Sequence, residues 1–177
     1  MKKKICIIDD HEIIRTGIRK LISKTDNYEV VYEFSSNQTL LNQPLVKKLD
    51  LIIQDLDLKN GCDLSQLELL NYKCPKIPIL IYTMHSESLY GLACLKYNIS
   101  GYLTKDKPVD ELLKAIDHIC NGNRFFSDEF NDLLATSFIT DKKPSVMSLS
   151  QREHEVFILL GEGHTLVNIS KKLFIKP

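Results

Sequence analysis

The sequence predicts a doubly wound α/β fold, in which helices cover both faces of a parallel sheet. Short continuous apolar segments alternate with amphipathic segments over residues 1–122. Four of the apolar segments are directly followed by residues whose side chains suit a phosphate site. These residues are an aspartate pair, a single aspartate, a threonine and a lysine. In open α/β sheets, ligands bind beyond the carboxyl ends of the strands, so these side chains are predicted to meet there.

Five apolar or β-branched runs are predicted to form the strands of this sheet. Their continuity is typical of strands buried on both faces. With strand order 2-1-3-4-5, the sheet would be flavodoxin-like. The runs are Lys4–Ile8, Tyr28–Phe34, Asp50–Asp55, Lys76–Thr83 and Ser100–Thr104.

Helices are predicted between the strands. The first is indicated by Ile13, Ile14, Gly17, Ile18, Leu21 and Ile22, which recur at helical spacing. Pro44 should break or shorten the second, and the capping-box spacing of Ser65 and Glu68 opens the third. The predicted range of the second helix is Thr39–Leu49, that of the fourth is Ser86–Tyr97 and that of the fifth is Val109–Cys120.

A smaller helical region is predicted after the sheet. Ser127–Phe138 is amphipathic, and Asp141–Ser145 is polar and contains a proline, which is typical of a linker. A second capping box at Ser150 opens a helix whose small core is predicted from Val156, Phe157, Leu159 and Leu160. Thr165–Leu173 is a short helix that completes an αα-hairpin. The predicted boundaries are 1–122, 123–147 and 148–177.

The composition is that of an ordinary globular protein. Of 177 residues, 44% are apolar and 26% charged, and the formal net charge is zero, so charge gives no support for a large nucleic-acid or membrane surface. No apolar stretch approaches the length of a membrane span. Five cysteines without a C-x-x-C pair favour a reducing, cytoplasmic setting.

The strand ends predict a metal and phosphate site. Asp9, Asp10 and Asp55 would converge, and their repulsion would either raise the pKa of one carboxyl or demand a cation. Mg²⁺ with oxygen ligands is the usual choice of cation. Lys105 and Thr83 could then bind phosphoryl oxygens, and a carboxylate could attack phosphorus. Taken alone, Asp9 or Asp10 is equally well explained as a helix N-cap.

Four motifs resemble the receiver domain of bacterial two-component response regulators. They cover about the first 122 residues, and they are Ile7–His11, Asp50–Asp57, Tyr82–Thr83 and Gly101–Asp106. The resemblance implies that Asp55 accepts a phosphoryl group from a sensor histidine kinase. It also implies Mg²⁺ bound by Asp9, Asp10, Asp55 and the backbone carbonyl of Asp57.

The same resemblance implies a conformational switch on phosphorylation and no enzymatic activity beyond the protein's own phosphoryl transfer. Thr83 and Lys105 would bind the phosphoryl group, Thr83 would move toward it, and Tyr102 would turn inward. The protein would catalyse only its own phosphoryl transfer. Phosphorylation is expected either to free the tail from the receiver or to pair receivers through the face made by the fourth and fifth helices. Lys59, Gly61 and Met84 depart from the family pattern around the site.

The C-terminal region resembles the NarL/FixJ class, whose output is a LuxR-type helix-turn-helix. Asn121–Ser127 and Leu149–Val156 carry this resemblance. It implies that the recognition helix would follow Ile175, so the chain would contain a helix-turn-helix without its recognition helix. Sequence-specific DNA binding is therefore expected to be weak or absent. The residues expected to contact only DNA phosphates are Arg152, Lys171, Lys172 and Lys176.

Other readings of the sequence remain open. Asp55-Leu56-Asp57 is also similar to the D-x-D motif of haloacid dehalogenase-type phosphatases, although that motif normally follows the first strand. A flavin-binding module is disfavoured because three carboxylates would repel the flavin phosphate. A phosphorylation-gated interaction module without DNA binding is a further alternative. The five histidines are scattered, and none predicts a zinc site.

Overall fold

A computed structural model describes residues 1–37, 48–58, 61–62, 64–139, 150–161 and 163–175. The chain divides into two compact units, Met1–Asn131 and Asp132–Pro177. The division predicted from the sequence into three segments stays a prediction.

The described residues of the first unit contain a five-stranded parallel sheet. A separate antiparallel ribbon, which the sequence analysis missed, pairs β4 (Asp57–Leu58) with β5 (Gly61–Cys62). The sheet order is β2-β1-β3-β6-β7, which is the predicted order 2-1-3-4-5 when the ribbon is not counted. The strands of the sheet are β1 (Lys3–Ile8), β2 (Tyr28–Phe34), β3 (Leu51–Gln54), β6 (Ile79–Thr83) and β7 (Gly101–Thr104). The predicted fold class is therefore confirmed.

The helices lie where the spacing of apolar residues predicted most of them. Residues 39–47 of the predicted second helix lie outside the described residues. The helices are α1 (Glu12–Ile22), α2 (Ser65–Lys73), α3 (Glu87–Leu95), α4 (Val109–Cys120), α5 (Asp128–Ile139), α6 (Gln151–Gly161) and α7 (Leu166–Leu173).

Apolar side chains are buried on both faces of the sheet. On one face, Ile7 of β1 and Ile53 of β3 share a core cluster with Ile18 of α1 and Ile116 of α4. Successive strand residues point to opposite faces, and Ile52, the neighbour of Ile53, is also fully buried. The second face is therefore covered as well, as the continuous apolar runs predicted.

The strand register sets the position of the functional edge. Gln54 of β3 pairs with Ile8 of β1 on one side and with Ile81 of β6 on the other. The backbone N–H of Asp55 donates to the carbonyl of Ile8 at 2.8 Å, so this edge stays in register one residue beyond the strand. The residues that follow β1 and β3 therefore meet at one edge.

One predicted helix cap is wrong. Helix α2 begins at Ser65, but its N-cap residue is Leu64, which provides no side-chain cap. The reason is local, because Leu64 already has helical backbone angles (φ −65°, ψ −17°). Ser65 therefore lies inside the first turn and not in the extended conformation that a capping residue needs.

The segment after α4 lies against the edge strand β7, a contact that the sequence analysis did not predict. Phe125 forms a parallel bridge with Gly101. Its N–H donates to the carbonyl of Ser100 at 3.0 Å, and its carbonyl accepts the N–H of Tyr102 at 2.9 Å. The backbone of Tyr102 is thereby tied to this segment.

The start of α5 is fixed on α3 by two contacts. The ring of Phe130 covers Gly91, where an added Cβ would lie 2.7 Å from ring atom Cε2. The carboxylate of Glu87 accepts the backbone N–H of Ser127 at 3.2 Å. Residue 91 therefore has to be glycine for the ring to lie this close.

In the second unit, α6 and α7 contact each other around a small core. Ile158 and Ile169 are only 1% and 2% exposed. The predicted core is wrong for two residues, because Phe157 is 43% and Leu160 47% exposed. Residues 156–160 form an unbroken apolar run, so the helical period does not select one face from sequence alone.

Local hydrogen bonds define the ends of these two helices. The predicted capping box is confirmed: the N–H of Ser150 donates to Glu153 Oε2 at 2.8 Å, and the N–H of Glu153 donates back to Ser150 Oγ at 3.3 Å. Thr165 Oγ1 caps α7 by accepting the N–H of Asn168 at 3.3 Å. Within the described parts of the chain, no helix is long and apolar enough to cross a bilayer.

Candidate metal centre

Two buried aspartates share one lysine at the carboxyl edge of the sheet. Asp9 follows β1 and Asp55 follows β3, and their side chains are 3% and 2% exposed. The ammonium Nζ of Lys105 lies 2.7 Å from Asp9 Oδ2 and 2.7 Å from Asp55 Oδ2. Three side chains predicted from separate strand ends are thus brought together.

The lysine is held in its charged form. Burial lowers the pKa of Lys105, but the hydrogen bonds and negative charges of Asp55 and Asp9 outweigh burial and raise the pKa above its ordinary value of 10.5. One ammonium between two carboxylates leaves one negative charge uncompensated. This edge therefore still attracts a cation.

Asp10 adds a third carboxylate with an unused oxygen. Its side chain is 16% exposed, and among the described residues its Oδ1 is buried without a hydrogen-bond donor. His11 lies beside it, with Nδ1 2.9 Å from that oxygen and 3.4 Å from Asp9 Oδ1. One ligand atom from each of Asp9, Asp10, His11 and Asp55 lies within 4.8 Å of the others.

These donors fit a hard divalent cation. Mg²⁺ is usually held by one or two carboxylates together with water and phosphate oxygens. Among the described residues the buried Oδ1 of Asp10 accepts no hydrogen bond, and this oxygen and the excess negative charge both favour such an ion. The N–H of Asp57 donates to Asp55 Oδ1 at 3.2 Å, so the main chain of Asp57 lies beside the site. Its carbonyl remains a predicted ligand.

The predicted switch residues are buried next to this edge. Thr83 ends β6 with no exposed surface, and its Oγ1 lies 3.5 Å from the N–H of His85, which donates to it. Tyr102 is 2% exposed, and its hydroxyl donates to the carbonyl of His85 at 3.0 Å. The structure therefore has the aromatic ring inward, while the movement implied by the resemblance stays a prediction.

Three residues near the site were missed by the sequence analysis. Arg15 of α1 donates through Nη1 to the carbonyl of Asp9 at 2.6 Å and so fixes the turn after β1. His85 places Nε2 4.0 Å from Asp57 Oδ2 at the outer part of the edge. The sequence did offer a signal for His11, because it directly follows Asp10. Adjacent residues in a turn can face the same site without the spacing that a helix requires.

The predicted phosphate-contacting residues of the tail are in varied surroundings. Arg152 donates to Glu155 Oε2 at 2.6 Å and to the carbonyl of Leu173, so it ties α6 to the end of α7. Lys171 is exposed, whereas Lys172 Nζ lies 3.1 Å from His164 Nε2. Lys176 lies outside the described residues. Their contact with DNA stays a prediction.

The class of protein that this fold and edge define is a receiver module. The response regulator receiver domain model matches residues 5–117. The chain therefore belongs to the response regulator family. That membership favours the receiver over the phosphatase alternative, and response regulators are generally not classical enzymes.

Similar proteins of this family match over nearly the whole chain. A nitrate/nitrite response regulator protein homolog from Haemophilus influenzae is 33% identical over 174 residues, which cover 98% of this chain and 83% of that protein. The response regulator GacA from Pseudomonas aeruginosa is 26% identical over 176 residues, covering 98% and 82%.

Solved structures show the same architecture. A LuxR-family two-component response regulator from an Aurantimonas species has a TM-score of 0.68 at 29% identity, covering 78% of this chain and 99% of that chain. RcsB from Salmonella enterica serovar Typhimurium, bound to promoter DNA in the presence of phosphomimetic BeF₃⁻, has a TM-score of 0.69 at 28% identity. That match covers 99% of this chain and 85% of the RcsB chain.

Proposed function

We propose that Asp55 accepts a phosphoryl group from a sensor histidine kinase and that its phosphorylation regulates a DNA-binding output. The observation that carries this proposal is the Asp55 carboxylate, which is 2% exposed and bonded to Lys105 at 2.7 Å. Beside it lies the buried Oδ1 of Asp10, which accepts no hydrogen bond among the described residues. A carboxylate in this position has both a positive partner and a cation site next to it.

The side chains divide the chemistry among themselves. An oxygen of Asp55 forms the new bond to phosphorus as the bond from phosphorus to the histidine nitrogen of the kinase breaks. Lys105 offers its ammonium to a phosphoryl oxygen, and Thr83 offers its hydroxyl. Bound Mg²⁺ supplies positive charge that stabilises the phosphoryl oxygens in transfer. Asp10 would hold the ion with Asp9, Asp55 and the carbonyl of Asp57.

We propose that the switch residues transmit the phosphorylation of Asp55 to the C-terminal helices. Phosphorylation would shift a two-state equilibrium that includes Thr83 and Tyr102. The backbone bond from Tyr102 to Phe125 gives this equilibrium a direct route to the segment that leads into α5. By analogy with DNA-bound RcsB, we propose that the C-terminal helices belong to a helix-turn-helix output and that phosphorylated receivers pair.

The test is phosphorylation by a small-molecule donor. Incubation with acetyl phosphate and Mg²⁺ should add the mass of one phosphoryl group to the intact chain. Asp55→Asn should add none, whereas the neighbouring Asp57→Asn should still be modified because it keeps the acceptor carboxylate. Modification of Asp55→Asn to the wild-type extent would refute the proposal.

The number of phosphomonoester molecules that each protein molecule hydrolyses distinguishes a receiver from a phosphatase. A receiver hydrolyses only its own acyl phosphate, so simple phosphomonoesters should not be consumed beyond one equivalent. Sustained turnover that is lost in Asp57→Asn would favour the D-x-D mechanism instead.

A further inference from the structure

The imidazole of His11 faces the same point as the carboxylates around it. The N–H of His11 donates to Asp9 Oδ1 at 2.8 Å, which fixes the turn between β1 and α1. His11 is the N-cap residue of α1, with extended backbone angles (φ −85°, ψ 107°), and no side-chain hydrogen bond caps that helix. The turn therefore presents the ring to the edge, although 62% of the side chain remains exposed.

The contact between His11 and Asp10 has the spacing of two ligands of one ion. Nδ1 lies 2.9 Å from Asp10 Oδ1, yet this oxygen accepts no hydrogen bond among the described residues. Two ligand atoms about 2.1 Å from one metal are about 3.0 Å apart in octahedral coordination and about 3.4 Å apart in tetrahedral coordination. The observed distance is close to the octahedral value.

We propose that His11 is a nitrogen ligand that lets this site bind borderline transition ions such as Co²⁺ and Zn²⁺ together with Asp10 and Asp55. The inference rests on the cation site of the proposed function. Carboxylates and carbonyls suit Mg²⁺, whereas imidazole suits zinc and related ions. A hard ion would use only the oxygens, so its binding would not depend on His11. A softer ion would compete with Mg²⁺ for the same oxygens.

The experiment compares two metals in two variants. Calorimetric titration of the metal-free chain with Co²⁺ and with Mg²⁺ should show that His11→Gln weakens Co²⁺ binding by at least about tenfold. Mg²⁺ binding should change by less than about twofold, since its ligands are oxygens. His118→Gln, an exposed histidine on α4, is the matched control and should bind both ions as wild type does.

A second measurement uses the wild-type chain and does not depend on a variant's folding. Zn²⁺ should shift the ring signals of His11 in a histidine NMR spectrum, and Mg²⁺ should leave them in place. Equal affinities for Co²⁺ in wild type and His11→Gln would overturn the inference while leaving the proposed function intact. An equal loss of both ions would also overturn it. Absence of Mg²⁺ binding in wild type would instead refute the cation site of the proposed function.

Discussion

The carboxyl edge of the sheet and the helix pair α6–α7 use polar side chains in opposite ways. At the edge, the side chains of Asp9, Asp55 and Lys105 are at most 8% exposed, and the lysine donates to both aspartates. In the helix pair, the bonds from the N–H of Ser150 to Glu153 and from the N–H of Glu153 to Ser150 lie at an exposed helix end and satisfy the backbone. Buried charge is costly unless it is paired, so its presence indicates chemistry, whereas capping bonds indicate only the fold.

The largest expected effect is the loss of the buried lysine. Lys105→Ala should lower the free energy of unfolding by about 3–5 kcal/mol in metal-free buffer, because it leaves two buried carboxylates without their cation. Chemical denaturation measures it, with the exposed Lys107→Ala as control. Equal stability of the two variants would show that the edge does not need its lysine.

The second prediction makes the same substitution in both regions. Ile53 and Ile158 are each 1% exposed, so either change to alanine should cost about 2–5 kcal/mol in its own unit. Ile53→Ala should lie at the upper end because the larger core around it collapses less easily. Ile158→Ala should unfold α6 and α7 and leave phosphorylation of Asp55 unchanged. A loss of phosphorylation in Ile158→Ala would mean that the two units do not fold independently.

The third prediction concerns the cation. Mg²⁺ at about 100 times its Kd should stabilise the folded chain by about 2.7 kcal/mol. Asp10→Ala should remove this gain, whereas the exposed Asp26→Ala should keep it. Thermal unfolding with and without Mg²⁺ measures both. An undiminished gain in Asp10→Ala would place the ion elsewhere.

The smallest effect is expected at Glu87, where α3 contacts the segment before α5. Burial raises the pKa of Glu87 above its ordinary value of 4.5, and the negative charge of Glu129 adds to this rise. The hydrogen bonds from Ser127 and the positive charge of Lys107 offset part of it. The folded state therefore keeps this proton to a higher pH than the unfolded state. The stability that Glu87 contributes is full below pH 4.5 and falls as the pH rises through the raised pKa.

Glu87→Gln removes this titration. The free energy of unfolding of the variant, relative to wild type, should therefore increase as the pH is raised through the weakly acidic range. The exposed Glu29→Gln is the control and should show no such trend. A constant difference between Glu87→Gln and wild type would contradict the raised pKa.

The sequence predicted the part of the site that strand order determines. Asp9, Asp55 and Lys105 follow buried strands, so a parallel sheet has to place them at one edge. His11 was missed, although it directly follows Asp10, because the turn that places it is fixed by a bond from its backbone N–H to Asp9, which no periodicity reveals. The bridge of Phe125 with Gly101 was missed for a similar reason, since it depends on tertiary contact with an edge strand.

The central claim is that one buried carboxylate, Asp55, carries the phosphoryl group. Borohydride reduces an aspartyl phosphate to homoserine, so treatment of the phosphorylated chain followed by peptide mass spectrometry locates the acceptor. Homoserine is predicted at residue 55 alone, and only when both phosphodonor and Mg²⁺ were present. Homoserine at residue 9, 10 or 57, or at none of these positions, would contradict the claim.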